Sequence, residues 1–195
     1  MTRAGLNSKA MERLAFRVRE LWPEIEGHMN GVDPMINQLQ QLPHRNCIDR
    51  STLFKIAREK SPRKAGLVMQ NDQDNVLAIT ELAFKQTDDV KAIQLLCVLD
   101  GVDVPTASAV LSWMFPQRWP VIDRRAWQTL FGADIVRTHR KGIGLGGQQW
   151  AIYLDVVQAL ASELSELELT PQRVDRVLYA LADPRFAVEA NGAAA

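Results

Sequence analysis

A chain of 195 residues with 47% hydrophobic content is long enough to bury one sizeable core, or two small lobes sharing an interface, without disulfides or a structural metal to hold it. Its two cysteines, Cys47 and Cys97, stand fifty residues apart outside any CxxC or Cys/His cluster, which excludes a zinc site or a four-thiolate iron–sulfur cluster built from them. Lys and Arg (23) balance Asp and Glu (23), which argues against a non-specific polyanion binder.

Helical periodicity dominates the chain from its start. Ser8 is placed to cap a helix in which Met11, Leu14, Ala15, Val18, Leu21, Trp22 and Ile25 recur at spacings of three and four. The polar stretch from Gly27 to Asp49 lacks a clear period and reads as a surface wrap or a short helix. Ser51 is placed to cap a second helix carrying Phe54, Ile56 and Ala57, with Pro62 near its end. An apolar series follows, Val76, Ile79, Leu82 and Ala83, and then Asp88 or Asp89 opens a helix with Val90, Ile93, Leu96 and Cys97. Further helices fit 105–115, 124–131, 148–164 and 171–182, the last opened by Thr170-Pro171. No alternating strand pattern is found, so the expected fold class is all-α. The tail EANGAAA reads as frayed, and 190–195 is expected to be disordered. MTRAGLNSKAMERL has no signal-peptide core, and no run approaches the roughly 18 apolar residues of a membrane span, so a soluble, cytoplasmic protein is expected.

Local charge is uneven. Residues 55–64, KIAREKSPRK, hold five Lys/Arg against one Glu, and residues 118–141 hold six against two Asp. Residues 155–189 reverse this, with seven acids against three Arg. One basic face on a neutral molecule suits a protein that tracks a few phosphates, although surface charge also fluctuates this much by chance.

The densest signal is LDGVDVPTASAVL, Leu99–Leu111, followed by WPVID ending at Asp123. Gly101 suits a tight turn between two helices, and Pro105 suits the first turn of the second. Such a turn points backbone N–H groups outward, where they bind phosphate without a cationic side chain. The run resembles the LPGVGxxTAxxVL signature of the helix-hairpin-helix (HhH-GPD) DNA glycosylase superfamily, in which a Gly/Pro-rich loop leads to an essential aspartate; here these are FPQRWPVI and Asp123. The resemblance covers about residues 88–131 and implies a two-lobed helical fold with a cleft between the lobes. It implies one domain over 1–189, a helix-hairpin-helix at about 88–115, and a catalytic loop and helix at 116–131. Members that also cut the strand carry a lysine eighteen residues before the aspartate; that position is Pro105. Asp100 replaces the signature's proline, Asp103 replaces its second glycine, and the loop before Asp123 has no glycine.

The implied activity is hydrolysis of the N-glycosidic bond of a flipped, damaged or modified base, leaving an abasic site without strand cleavage. The role would be base-excision repair or action against modified foreign (phage) DNA. A carboxylate at Asp123 would stabilise positive charge developing at C1′ and steer the attacking water. The alternative for Asp123 is an ordinary helix cap, and the alternative for the chain is a non-catalytic DNA-binding adaptor. The resemblance places Gly101, Val102, Asp103 and Thr106 at the phosphate. Arg124, Arg125, Lys60, Arg63 and Lys64 are further candidates for DNA contact, against the alternative of solvated surface cations. Trp113, Trp119 and Trp127 are candidates to line the base pocket, against the alternative of core packing.

GIGLGG at 142–147 matches GxGxxG but follows RTHRK rather than a strand, so a dinucleotide site is rejected; the loop instead offers Arg137, His139, Arg140 and Lys141 to a phosphate. His28, His44 and His139 are scattered, and no metal site is expected. Trp150, Tyr153, Val156 and Leu160 read as a core stripe. No cofactor is expected, a monovalent cation at the hairpin being the alternative left open. The expected partner is double-stranded DNA bearing a modified or damaged base, bound by a monomer with no membrane association.

Overall fold

The computed structural model describes residues 6–29, 34–42 and 46–186; His44 and the tail at 190–195 lie outside them. The described residues form ten α-helices and no strand: α1 (Ser8–Met29), α2 (Pro34–Gln40), α3 (Arg50–Lys60), α4 (Pro62–Val68), α5 (Gln73–Phe84), α6 (Asp89–Leu96), α7 (Val104–Met114), α8 (Arg124–Gly132), α9 (Gly147–Glu163) and α10 (Pro171–Ala180). Among them no helix is long and apolar enough to cross a membrane.

Short polar side chains decide where most of these helices start, by taking up backbone N–H groups that have no partner within the helix. Asp49, Asp72, Asp88, Asp103, Asp123 and Thr170 each accept from an N–H of the turn that follows. Two expected caps are displaced by one or two residues. Asn7 rather than Ser8 receives the Ala10 N–H, at 3.3 Å, and Asp49 rather than Ser51 receives the Thr52 N–H, at 2.7 Å. A carboxylate is the stronger acceptor for a positive helix end, so Asp49 outcompetes the nearby serine. The stretch from Gly27 to Asp49 contains the short helix α2 and part of α1.

Packing divides the helices into two groups. Helices α2 to α7 associate through α3 against α4, α5 and α7, and through α7 against α2 and α6. The first helix crosses to the end of the chain, where α1 packs on α9 and α10, and α8 packs on α10. Contact between α6 and α9 joins the groups. The apolar stripe read in α1 is buried at Met11, Leu14, Ala15, Val18 and Ile25, while α7 is buried along its length from Thr106 to Met114.

A loop from Phe115 to Asp123 crosses from one group to the other, and three contacts fix its course. Phe115 stacks edge-on against Phe84 at 5.2 Å and against Trp119 at 5.4 Å. The Trp119 Nε1–H and the Arg118 guanidinium both donate to Asp89 Oδ1, and Arg118 lies 4.0 Å over the Trp119 ring. Asp89 is thus the anchor of the loop, while Asp88 caps α6. Inside α7 the Ser108 hydroxyl accepts the Ile122 N–H at 3.1 Å, so the helix after the hairpin holds the residue next to Asp123.

Candidate functional site

Gly101 takes φ +78°, and a Cβ there would lie 2.9 Å from both the Lys64 carbonyl and the Val68 nitrogen. Only glycine satisfies both the left-handed backbone and this close approach to α4. The Asn71 side chain braces the turn from beneath, accepting the Asp100 N–H at 2.8 Å and donating to its carbonyl at 3.0 Å.

The hairpin's candidate DNA contacts separate into two pairs. Val102 and Thr106 are buried; the Val102 N–H bonds the Leu99 carbonyl and the Thr106 N–H bonds Asp103 Oδ1. Both are thereby corrected from phosphate contacts to internal supports of the turn. Gly101 and Asp103 stay partly exposed. Asp103, which stands where the signature the hairpin resembles has its second glycine, caps α7 and pairs with Lys64 Nζ at 2.9 Å. Burial pushes the Asp103 carboxyl up, but Lys64 and Thr106 outweigh it and hold the group below its ordinary range. Lys64 accordingly stands at the hairpin mouth, where it offsets the charge of Asp103.

Asp123 sits at the start of α8. Its Oδ1 accepts the Arg125 N–H at 2.7 Å and its Oδ2 accepts Lys60 Nζ at 2.9 Å. The carboxylate is both a cap and an ion-pair partner, with 26% of its side chain exposed against 15% for Lys60. Burial would raise its pKa, but the Lys60 charge and the Arg125 N–H hold it below the usual carboxylate range. Lys60, expected as a phosphate contact, is corrected to the partner of Asp123: it ends α3, and that end points into the site rather than along the surface.

An open cavity of about 800 Å³ adjoins this pair, between the two helix groups. Glu59, Lys60 and Trp113 line it from α3 and α7; Val121 and Asp123 line it from the crossing loop; Gln172, Asp175, Arg176 and Tyr179 line it from α10. Of the three tryptophan candidates only Trp113 reaches this wall. Trp119 is 1% exposed and locked by Asp89, and Trp127 is fully buried with Nε1–H on the Thr138 carbonyl at 3.0 Å. Both are core residues, corrected from the base pocket because no face of either ring is open.

The segment 137–146 folds back onto the start of α8. Gly142, at φ +61°, approaches the Arg124 carbonyl so closely that a Cβ would lie at 2.5 Å, and the Gln128 amide donates to the Lys141 carbonyl at 3.2 Å. Arg140 and Lys141 are thereby brought, exposed, to the same end of α8 as Arg124. Arg125 also lies at the surface, donating to the Tyr179 hydroxyl at 3.0 Å on the cavity rim. Arg63 is exposed on α4.

Several residues of the cavity region fell outside the sequence-based candidates, and three of them form one polar set. Asp175 is buried on α10 and accepts the Tyr153 hydroxyl from α9; burial raises its carboxyl to about 7 against the opposing pull of Tyr153 and Lys60, with Asp123 adding to the rise. Burial and the neighbouring Asp175 push the Tyr153 hydroxyl up as well. Gln172 completes the set, one turn before Asp175. A signal existed for α10: Gln172 and Asp175 interrupt the apolar face formed by Val174, Val177 and Leu178. Polar residues on a buried face need a partner or a purpose.

Compared with protein-family models, curated proteins and solved structures, the chain matches none.

Proposed function

We propose that this chain is a DNA N-glycosylase of the helix-hairpin-helix type, with its cleft between the two helix groups. It would flip a damaged or modified base into the cavity, hydrolyse its N-glycosidic bond and leave an abasic site. The observation that carries the reading is Asp123: an ionised, partly exposed carboxylate on the wall of a nucleotide-sized cavity, its loop pinned by Ser108 to the helix after the Gly101 turn. A carboxylate so placed stabilises the cation that forms at C1′ as the base departs, and it orients the incoming water. Oδ1 is committed to the Arg125 N–H and Oδ2 to Lys60, so the sugar would share or displace the lysine.

Phosphate contact in this reading falls to the Gly101 turn with Lys64, to Arg63 and to the cations gathered at the start of α8. Position 105 is the second residue of α7 and carries proline, so no amine is offered there for covalent catalysis. Strand cleavage is therefore not part of the proposed reaction. Repair of damaged DNA and attack on modified foreign DNA are both compatible with this chemistry. The second reading, a DNA-binding adaptor, rests on Asp123 serving as a cap, which it also does. The two separate in one experiment. Genomic DNAs carrying different modified bases are incubated with wild type and with Asp123→Asn, and free base is followed by mass spectrometry. Release by wild type, lost in the variant while DNA binding persists, supports the glycosylase; no release from any DNA supports the adaptor.

A further inference from the structure

Gln172 is 8% exposed and lines the cavity, and its backbone N–H bonds the Pro116 carbonyl, yet its side-chain amide makes no hydrogen bond to the described residues. The amide atoms of Gln172 are not among the sealed side-chain atoms that lack a partner, so they open onto the cavity and are available to whatever enters it. Asp175, three residues on, shares its helix face and the same wall. The Tyr153 hydroxyl fixes one Asp175 oxygen and the Val121 N–H also donates to the carboxyl, which orients the group while a carboxylate's further lone pairs remain for a ligand. Asp123 and Lys60 stand across the same space.

We infer that Gln172 and Asp175 read the hydrogen-bonding edge of the extruded base, and that the edge they accept carries an exocyclic amino group beside a ring nitrogen, as in cytosine- and adenine-type bases. The inference rests on the glycosylase reading and names its substrate class. The Gln172 amide presents an acceptor and a donor side by side, which matches an amino hydrogen next to a ring nitrogen. A carboxylate only accepts, so ionised Asp175 takes a second amino hydrogen and repels the carbonyl that a uracil- or hypoxanthine-type base has in that place. The groups facing Asp175 are the Tyr153 hydroxyl from α9, Lys60 from α3, Asp123 from the crossing loop and the Val121 N–H, and of these only Lys60 is a cation.

The test uses the full chain at pH 8 and duplexes whose target nucleotide has a 2′-fluoroarabino sugar, which keeps the base attached. Two matched pairs are compared by fluorescence anisotropy: 5-hydroxymethylcytosine against 5-hydroxymethyluracil, and adenine against hypoxanthine. We expect the amino member of at least one pair to bind about tenfold tighter, the discrimination of one good bidentate contact. Gln172→Leu, similar in volume, should reduce that ratio to about threefold or less, with melting temperature as the check on folding. Asp175→Asn, which keeps an acceptor for Tyr153, should reduce it too. Equal affinities within both pairs in wild type, or a ratio that Gln172→Leu leaves unchanged, overturn the inference. Unfluorinated duplexes run in parallel separate the two claims. Base released with an unaltered ratio in Gln172→Leu sinks the edge reader and spares the role of Asp123, whereas discrimination without release keeps the reader and removes the chemistry. Neither release nor discrimination sinks both.

Discussion

Lys60 Nζ lies 2.9 Å from Asp123 Oδ2, joining the last residue of α3 to the cap of α8 on the wall of the cavity. The contact links the two helix groups and keeps the carboxylate charged, so it bears on stability and on chemistry. Lys60→Met leaves a half-buried carboxylate without its counter-ion. A fully buried pair broken in this way costs about 3–5 kcal/mol, and partial exposure lowers the expectation here to about 1–2 kcal/mol by urea unfolding. The pH dependence has a definite sign. The folded pKa of Asp123 is depressed, so its stabilising contribution is present above the unfolded value and is lost as pH falls through the folded one. Without Lys60 the folded pKa rises, and the acid limb of base release should move to higher pH. An acid limb that stays in place would show that Lys60 does not keep Asp123 ionised.

The same pair governs covalent trapping. Lys60 brings an amine to the cavity from α3, whereas position 105 carries proline and offers none. An ammonium bonded to a carboxylate has no lone pair to offer an aldehyde. Incubation with abasic DNA and borohydride should therefore yield no protein–DNA adduct. An adduct that disappears in Lys60→Met would replace simple hydrolysis with lyase chemistry.

The turn itself offers a test independent of any substrate. Gly101→Ala forces a left-handed backbone on a residue that resists it and drives a methyl to 2.9 Å from two α4 backbone atoms. Both effects act on the folded state, and about 2 kcal/mol or more of stability should be lost in denaturant unfolding. A loss of only a few tenths would mean that α4 yields at little cost.

Much of this architecture is legible in the chain because it is local. The all-helical class follows from apolar spacing, and the starts of α6, α8 and α10 follow from Asp88, Asp123 and Thr170 ahead of a periodic run. Gly101 and Pro105 mark the turn for reasons of backbone geometry alone. What escapes is what depends on partners far apart in the chain. Lys60 is one of five cations in KIAREKSPRK, and nothing local distinguishes the one that meets Asp123, 63 residues away, from those left in water. Trp119 and Trp127 stand beside the catalytic candidate in sequence, yet Asp89 and Thr138 turn them into the core. Tyr153 reads as one more member of an apolar stripe until α10 supplies Asp175.

Asp175 gives the most quantitative prediction. Its carboxyl titrates at about 7 in the folded chain, against about 3.9 in an unfolded one. A raised folded pKa means that the native state binds the proton more tightly. The group's contribution is therefore fully present below about pH 4 and is lost as pH rises through 7. Three units at 1.36 kcal/mol each set a ceiling of about 4 kcal/mol on that loss. Asp175→Asn keeps an acceptor for the Tyr153 hydroxyl but has nothing to titrate, so it should melt above wild type by a margin that grows with pH. For a chain of this length the margin should reach roughly 10 °C at pH 8 and be smaller by half or more at pH 5. A margin equal at both pH values would mean that Asp175 does not change its charge between them. Its hydrogen bond from Tyr153 would then serve packing alone, and the cavity would hold a permanently charged carboxylate facing Lys60.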